Sequence, residues 1–170
     1  MGKNFINGQG LKPYADIKFG FLTFKHNGCG PIAVYNLLLC LNQKASLEKI
    51  IYDTKFFFTF FSRRTFRHHC IRSWLLLKKR GSKNQSRAFS VREKAEGYLK
   101  KHGCGILLYF HGRGSHYVAV QHGKYNDDKF TIYNRSSNYP FETNAESLEF
   151  LYRKSKIFIP LLLFVPITLS

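Results

Sequence analysis

Three short stretches carry residues able to do covalent chemistry: Asn27-Gly28-Cys29-Gly30-Pro31, Ser115-His116-Tyr117-Val118 and Ile132-Tyr133-Asn134. Cysteine attacks as its thiolate, and Cys29 stands immediately before a run with helical periodicity. The N–H groups and dipole of a helix N-terminus favour a thiolate, so this sulfur is expected to be acidic and nucleophilic. Gly28 and Gly30 leave space beside the sulfur for a substrate groove and permit a sharp approach turn. His116 opens a strand-like run and could accept the thiol proton, then donate one to a leaving group. Asn134 closes the next such run, where its side chain could orient the imidazole as the third member of a triad does. Each residue also has a plainer reading: a buried structural thiol, a satisfied strand histidine, a turn residue ending a strand. The flanking glycines and the helix start favour the reactive reading of Cys29, and the roles of His116 and Asn134 depend on it.

The surrounding pattern says which elements must hold these residues. From Gly30 onward, Ala33, Val34, Leu37, Leu38 and Leu41 recur at helical spacing, which predicts a buried amphipathic helix of about 12 residues. Pro31 suits its first turn, where a missing N–H deprives nothing of a partner. Ser46 can cap a second helix through Leu47, Ile50 and Ile51. Ser90-Val91-Arg92-Glu93 is a capping box for a third, which Gly103 can end. Residues 1–24 show no period and read as an irregular lead-in. Ile106 to Phe110, Tyr117 to Gln121 and Phe130 to Tyr133 then read as strands, with Tyr125 to Asp128 connecting the last two as a hairpin. Asn144 is expected to cap a short helix through Leu148 and Leu151, and a final strand is expected from Lys156 to about Val165. Helices first and mostly antiparallel strands second make an α+β fold. Strands joined by a hairpin lie side by side, so His116 and Asn134 fall at adjoining strand ends.

With those pieces in that order, the sequence resembles the papain-like cysteine peptidases, most closely the bacteriocin-processing (double-glycine leader) peptidases and their stand-alone bacterial relatives. The matching pieces are Cys29-Gly30-Pro31-Ile32-Ala33 with its helix, His116-Tyr117-Val118-Ala119-Val120, and Lys129 to Asn134, with 18 residues from His116 to Asn134. The likeness covers residues 20–45 and 95–165. It implies a papain-like fold with the cysteine at a helix start, packed on an antiparallel sheet that carries the histidine and the asparagine. It also implies a cysteine peptidase or amidase-like hydrolase acting on a peptide or protein substrate without a cofactor. An acyl transferase using the same Cys29, His116 and Asn134 is a further possibility, since both chemistries pass through a thioester. Two departures stand out. The family's oxyanion glutamine, about six residues before the cysteine, is worth roughly 10²–10³ in rate, and Thr23 stands there instead. Gln9 lies 20 residues upstream of Cys29, so Asn27 or Lys25 becomes the candidate oxyanion donor. The bacteriocin-processing relatives complete the triad with an Asp where Asn134 stands here, and papain itself uses Asn.

Composition bounds the rest. The 170 residues, 44% hydrophobic and 16% aromatic, suit one domain over 1–170 and argue against intrinsic disorder. No apolar run approaches the ~20 residues of a membrane span, and the start does not read as a signal peptide. Cys29, Cys40, Cys70 and Cys104 form no CxxC pair, which points to a reduced, cytoplasmic, metal-free protein. Cys40 and Cys104 read as structural. His68, His69 and Cys70 are adjacent residues without a further ligand in place, and so make no metal site. His111, in the loop before His116, is a loop residue or, with Ser115, lines a substrate groove. The net charge of +17 is concentrated: residues 55–102 hold 14 Lys or Arg against Glu93 and Glu96 alone. Basic residues interleaved with aromatics there, within a Phe-rich segment 55–89 of unassigned structure, admit a second hypothesis. In it the chain is a non-catalytic relative that holds nucleic acid or an anionic membrane surface, although no recognised binding motif accompanies the charge. Oligomeric state is not readable from the sequence.

Overall fold

The computed structural model describes residues 4–60, 86–87, 92–111, 114–125, 128–149, 151 and 163–166. In chain order the elements are β1 (Lys18–Phe19), β2 (Leu22–Thr23), α1 (Phe24–Asn27), α2 (Cys29–Cys40), α3 (Leu47–Phe60), β3 (Ser86–Arg87), α4 (Arg92–His102), β4 (Cys104–His111), β5 (Gly114–His122), β6 (Phe130–Tyr133), β7 (Thr143–Ala145) and β8 (Leu163–Pro166). The fold is α+β. A small antiparallel ribbon pairs β1 with β2, and a larger sheet runs in the order β3-β8-β4-β5-β6-β7. Every pairing in the larger sheet is antiparallel.

Alternation along the strands gives the sheet two apolar faces. Leu107, Val118, Val120, Phe130 and Ile132 pack with Ala95 and Leu99 of α4. Ile106, Ala119 and Tyr133 pack with Ala33, Val34, Leu37 and Leu38 of α2. The helix expected to be amphipathic is instead apolar nearly all round. Its other side carries Ile32 into a separate cluster with Phe19, Phe24 and Ile51. A helix covered on both sides is a central core element, and it begins at Cys29, not at Gly30. Truncating fully buried Leu37 to Ala there would cost about 2–5 kcal/mol.

Local signals hold where local bonds make them. Ser46 Oγ accepts the Lys49 N–H at 3.2 Å, capping α3. Gly103 ends α4 at φ +83°, its N–H donating to the Leu99 carbonyl at 2.8 Å. Helix α3 runs on through Phe60, into the Phe-rich run that periodicity left unassigned. Asn144 caps no helix. It lies in β7 opposite Thr131, whose hydroxyl donates to Asn144 Oδ1 at 2.8 Å. Leu148 N–H finds its acceptor across the fold, at Glu96 Oε1, 2.9 Å away. The capping residues Ser90 and Val91, the trio His68, His69 and Cys70, most of the basic segment and the 156–162 part of the last strand lie outside the described residues.

The lead-in is the largest departure from expectation, because it is built into the core. Phe5 stacks on Tyr133, with ring centroids 4.0 Å apart. The buried Asn36 of α2 accepts the Ile6 N–H at 2.9 Å and donates to the Ile6 carbonyl at 2.8 Å. Asn7 Oδ1 accepts the Asn134 N–H at 2.7 Å, and the Gly10 N–H donates to the Ser137 carbonyl at 2.7 Å. Residues 5–10 therefore form a strap from α2 to the end of β6.

Candidate active site

Helix α1 stops at Asn27, and α2 starts two residues later at Cys29. Between them Gly28 is held to glycine by packing: a Cβ would sit 2.7 Å from the ring and the carbonyl of Phe24. That ring is fully buried, so the requirement exists independently of any substrate groove. Gly30 differs, because a Cβ there would meet nothing within 4 Å. Cys29 occupies the first helical position, 9% exposed.

His116 lies near the start of β5, 8% exposed, and Asn134 follows β6, fully buried. The two meet, though not through the Asn134 side chain. His116 Nε2 stands 2.6 Å from the Asn134 main-chain carbonyl. The side chain faces the strap instead: Asn134 Oδ1 accepts the Gln9 N–H at 3.1 Å, and Asn134 Nδ2 donates to Gln9 Oε1 at 3.0 Å. Asn134 has φ +58°, the left-handed region that Asn tolerates better than most side chains. That turn out of β6 is what swings its carbonyl toward the imidazole.

Tyr109 is a site residue that sequence reasoning missed. It pairs with His116 across the β4–β5 register, and the rings meet edge to face at 5.5 Å and 71°. Its hydroxyl donates to the Arg135 carbonyl at 2.7 Å, so consecutive carbonyls at 134 and 135 fix the imidazole and the phenol. Burial, and then the nearby Cys29 charge, push the Tyr109 hydroxyl up to about 12, with Arg135 opposing. Cys29 is thus within electrostatic reach of the phenol that lies edge-on to His116. Its place follows from the register: His111 pairs with Gly114, and counting outward from that end of the hairpin sets 109 opposite 116.

The candidate oxyanion donors are placed less directly. The exposed Lys25 enters the site through its carbonyl, which accepts from Gln9 Nε2 at 3.2 Å. Asn27 is half-buried at the end of α1. His111 and Ser115 fall on the ends of β4 and β5, their backbones in the hairpin register and their side chains outside the described residues. Gln9, 3% exposed, reaches the site although it lies 20 residues before Cys29 in the sequence. No spacing rule carries that signal, because the strap closes through tertiary hydrogen bonds. Among the described residues, no group of three or more His, Cys, Asp or Glu could hold a metal ion, and no helix is long and apolar enough to cross a membrane. Compared with protein-family models, with curated proteins and with solved structures, the chain finds no match in any of the three.

Proposed function

We propose that the chain is a papain-like cysteine peptidase or amidase-like hydrolase, working through Cys29, His116 and Asn134. The observation that carries this reading is the buried 2.6 Å contact between His116 Nε2 and the Asn134 carbonyl. A carbonyl can only accept, so Nε2 bears the proton and the neutral ring keeps its lone pair on Nδ1. A histidine with a fixed tautomer and a basic Nδ1 suits a general base. Cys29 at the first position of α2 suits a thiolate stabilised by helix N–H groups.

In the proposed reaction the Cys29 thiol gives its proton to His116 Nδ1, and the sulfur attacks a substrate carbonyl carbon. The C–N bond then breaks as the imidazolium returns a proton to the departing amine, leaving a thioester on Cys29. Water, deprotonated by His116, attacks the thioester. The C–S bond breaks, the acid leaves and the thiol is restored. Through both steps the Asn134 carbonyl holds Nε2–H and stabilises the imidazolium. The open space beside Gly30 favours a peptide substrate whose backbone passes close to the sulfur.

The test is the alkylation rate of Cys29 against pH, read by peptide mass spectrometry in the wild type and in His116→Ala. Cys29 is expected to react well below the ~8.5 of a free thiol, and the substitution is expected to abolish that advantage. A Cys29 that titrates as an ordinary thiol, unaltered in His116→Ala, defeats the hydrolase reading.

A further inference from the structure

Gln9 makes three directional bonds inside the site. Its Nε2 donates to the Lys25 carbonyl, its Oε1 accepts from Asn134 Nδ2, and its N–H donates to Asn134 Oδ1. The Lys25 carbonyl is the acceptor that an unbroken helix would offer to the Cys29 amide four residues on. Gln9 takes that carbonyl where the chain breaks between α1 and α2, one turn before the sulfur. At its other end it grips the residue whose carbonyl holds His116. One side chain thus joins the backbone leading to Cys29 with the backbone that aims the imidazole.

We propose that Gln9 is a positioning residue that fixes Cys29 and His116 relative to each other by bridging the Lys25 carbonyl to the Asn134 amide. The proposal rests on the hydrolase reading above. The bridge has one workable orientation. Turning the Gln9 amide over would set Oε1 against the Lys25 oxygen and Nε2 against the Asn134 Nδ2 donor, two like-with-like contacts in a buried place. Methionine matches the length of glutamine but makes neither bond. Glutamate keeps an acceptor for Asn134 Nδ2, and donates to Lys25 only while it carries its proton.

The experiment follows Cys29 alkylation by iodoacetamide against pH in the full chain, with peptide mass spectrometry, for wild type, His116→Ala, Gln9→Met and Gln9→Glu. Melting curves are recorded alongside. Gln9→Met is expected to raise the apparent Cys29 pKa by about one unit, seen as about tenfold slower alkylation where the thiolate limits the rate. Gln9→Glu is expected to follow the wild type at acidic pH and to fall to the Gln9→Met level once its carboxyl ionises. A Gln9→Met protein with a lowered melting temperature and an unchanged Cys29 profile overturns the proposal, leaving Gln9 as an anchor of the strap. If Gln9→Met does not fold, the pH course of Gln9→Glu decides alone, and a profile parallel to wild type throughout overturns the proposal equally. If the wild-type profile is indifferent to His116→Ala, the hydrolase reading fails first and the positioning role falls with it.

Discussion

Replacing Asn134 by Asp tests whether the site reads the side-chain amide at this position. In the wild type the amide has two fixed partners: Oδ1 takes the Gln9 N–H, and Nδ2 gives a proton to Gln9 Oε1. An ionised Asp keeps the first bond and sets a charged oxygen against Gln9 Oε1 in a fully buried place. Turning the Gln9 amide relieves that contact but puts its oxygen against the Lys25 carbonyl. The remaining escape is for the carboxyl to stay protonated and donate to Gln9 Oε1, which raises its folded-state pKa. The sign follows from linkage. A raised folded pKa leaves stability intact below the unfolded value near 3.9 and removes it as pH rises through the folded value. For a rise of about two units the loss is about 2.7 kcal/mol by pH 8. Guanidinium unfolding of wild type and Asn134→Asp at pH 3 and pH 8 measures it, with the wild type's own pH dependence subtracted. The variant should nearly match wild type at the acid end and fall short at the alkaline end, with an unchanged m-value. An Asn134→Asp protein as stable as wild type at pH 8 would refute the assignment of the four amide atoms.

The remaining predictions concern the glycines and Tyr109. Gly28→Ala should destabilise by about 1–3 kcal/mol in chemical denaturation, since its methyl meets the Phe24 ring and carbonyl. Gly30→Ala has open space and should be neutral or stabilising by up to about 1 kcal/mol, while slowing peptide hydrolysis if the substrate backbone crosses that point. Tyr109 holds its proton more tightly folded than unfolded, so its contribution is complete below pH 10 and is lost as pH rises toward 12. Tyr109→Phe should therefore remove a component on the order of 2–3 kcal/mol from the wild type's alkaline destabilisation, seen in melts between those pH values. A variant whose alkaline slope equals the wild type's would show that the phenol is not held by burial and Cys29.

Much of the architecture was legible because its causes are local. The Gly103 helix stop, the Ser46 cap and the paired strand runs rest on bonds or periods within a few residues. The helix starting beside Cys29 was legible on the same ground, since a Gly-Cys-Gly-Pro start and an apolar period declare it. So was the meeting of His116 with residue 134, because a hairpin puts adjoining strand ends together. Asn144 misled for the opposite reason: the residue that caps helices also pairs well across strands, and Thr131 decided between them.

The tertiary structure alone decided which atom of residue 134 faces the imidazole. A residue name does not distinguish a carbonyl from a side chain, and the left-handed turn after β6 brings the carbonyl to His116. It alone brought Gln9 and Asn7 to Asn134, across 125 and 127 residues of chain. Hydrogen bonds over such separations leave no period, cap or spacing in the sequence. They depend on the sheet and α2 holding their partners side by side. The sequence, through short-range rules, named the residues with chemistry to offer; the long-range polar bonds of the strap determine how those residues are held.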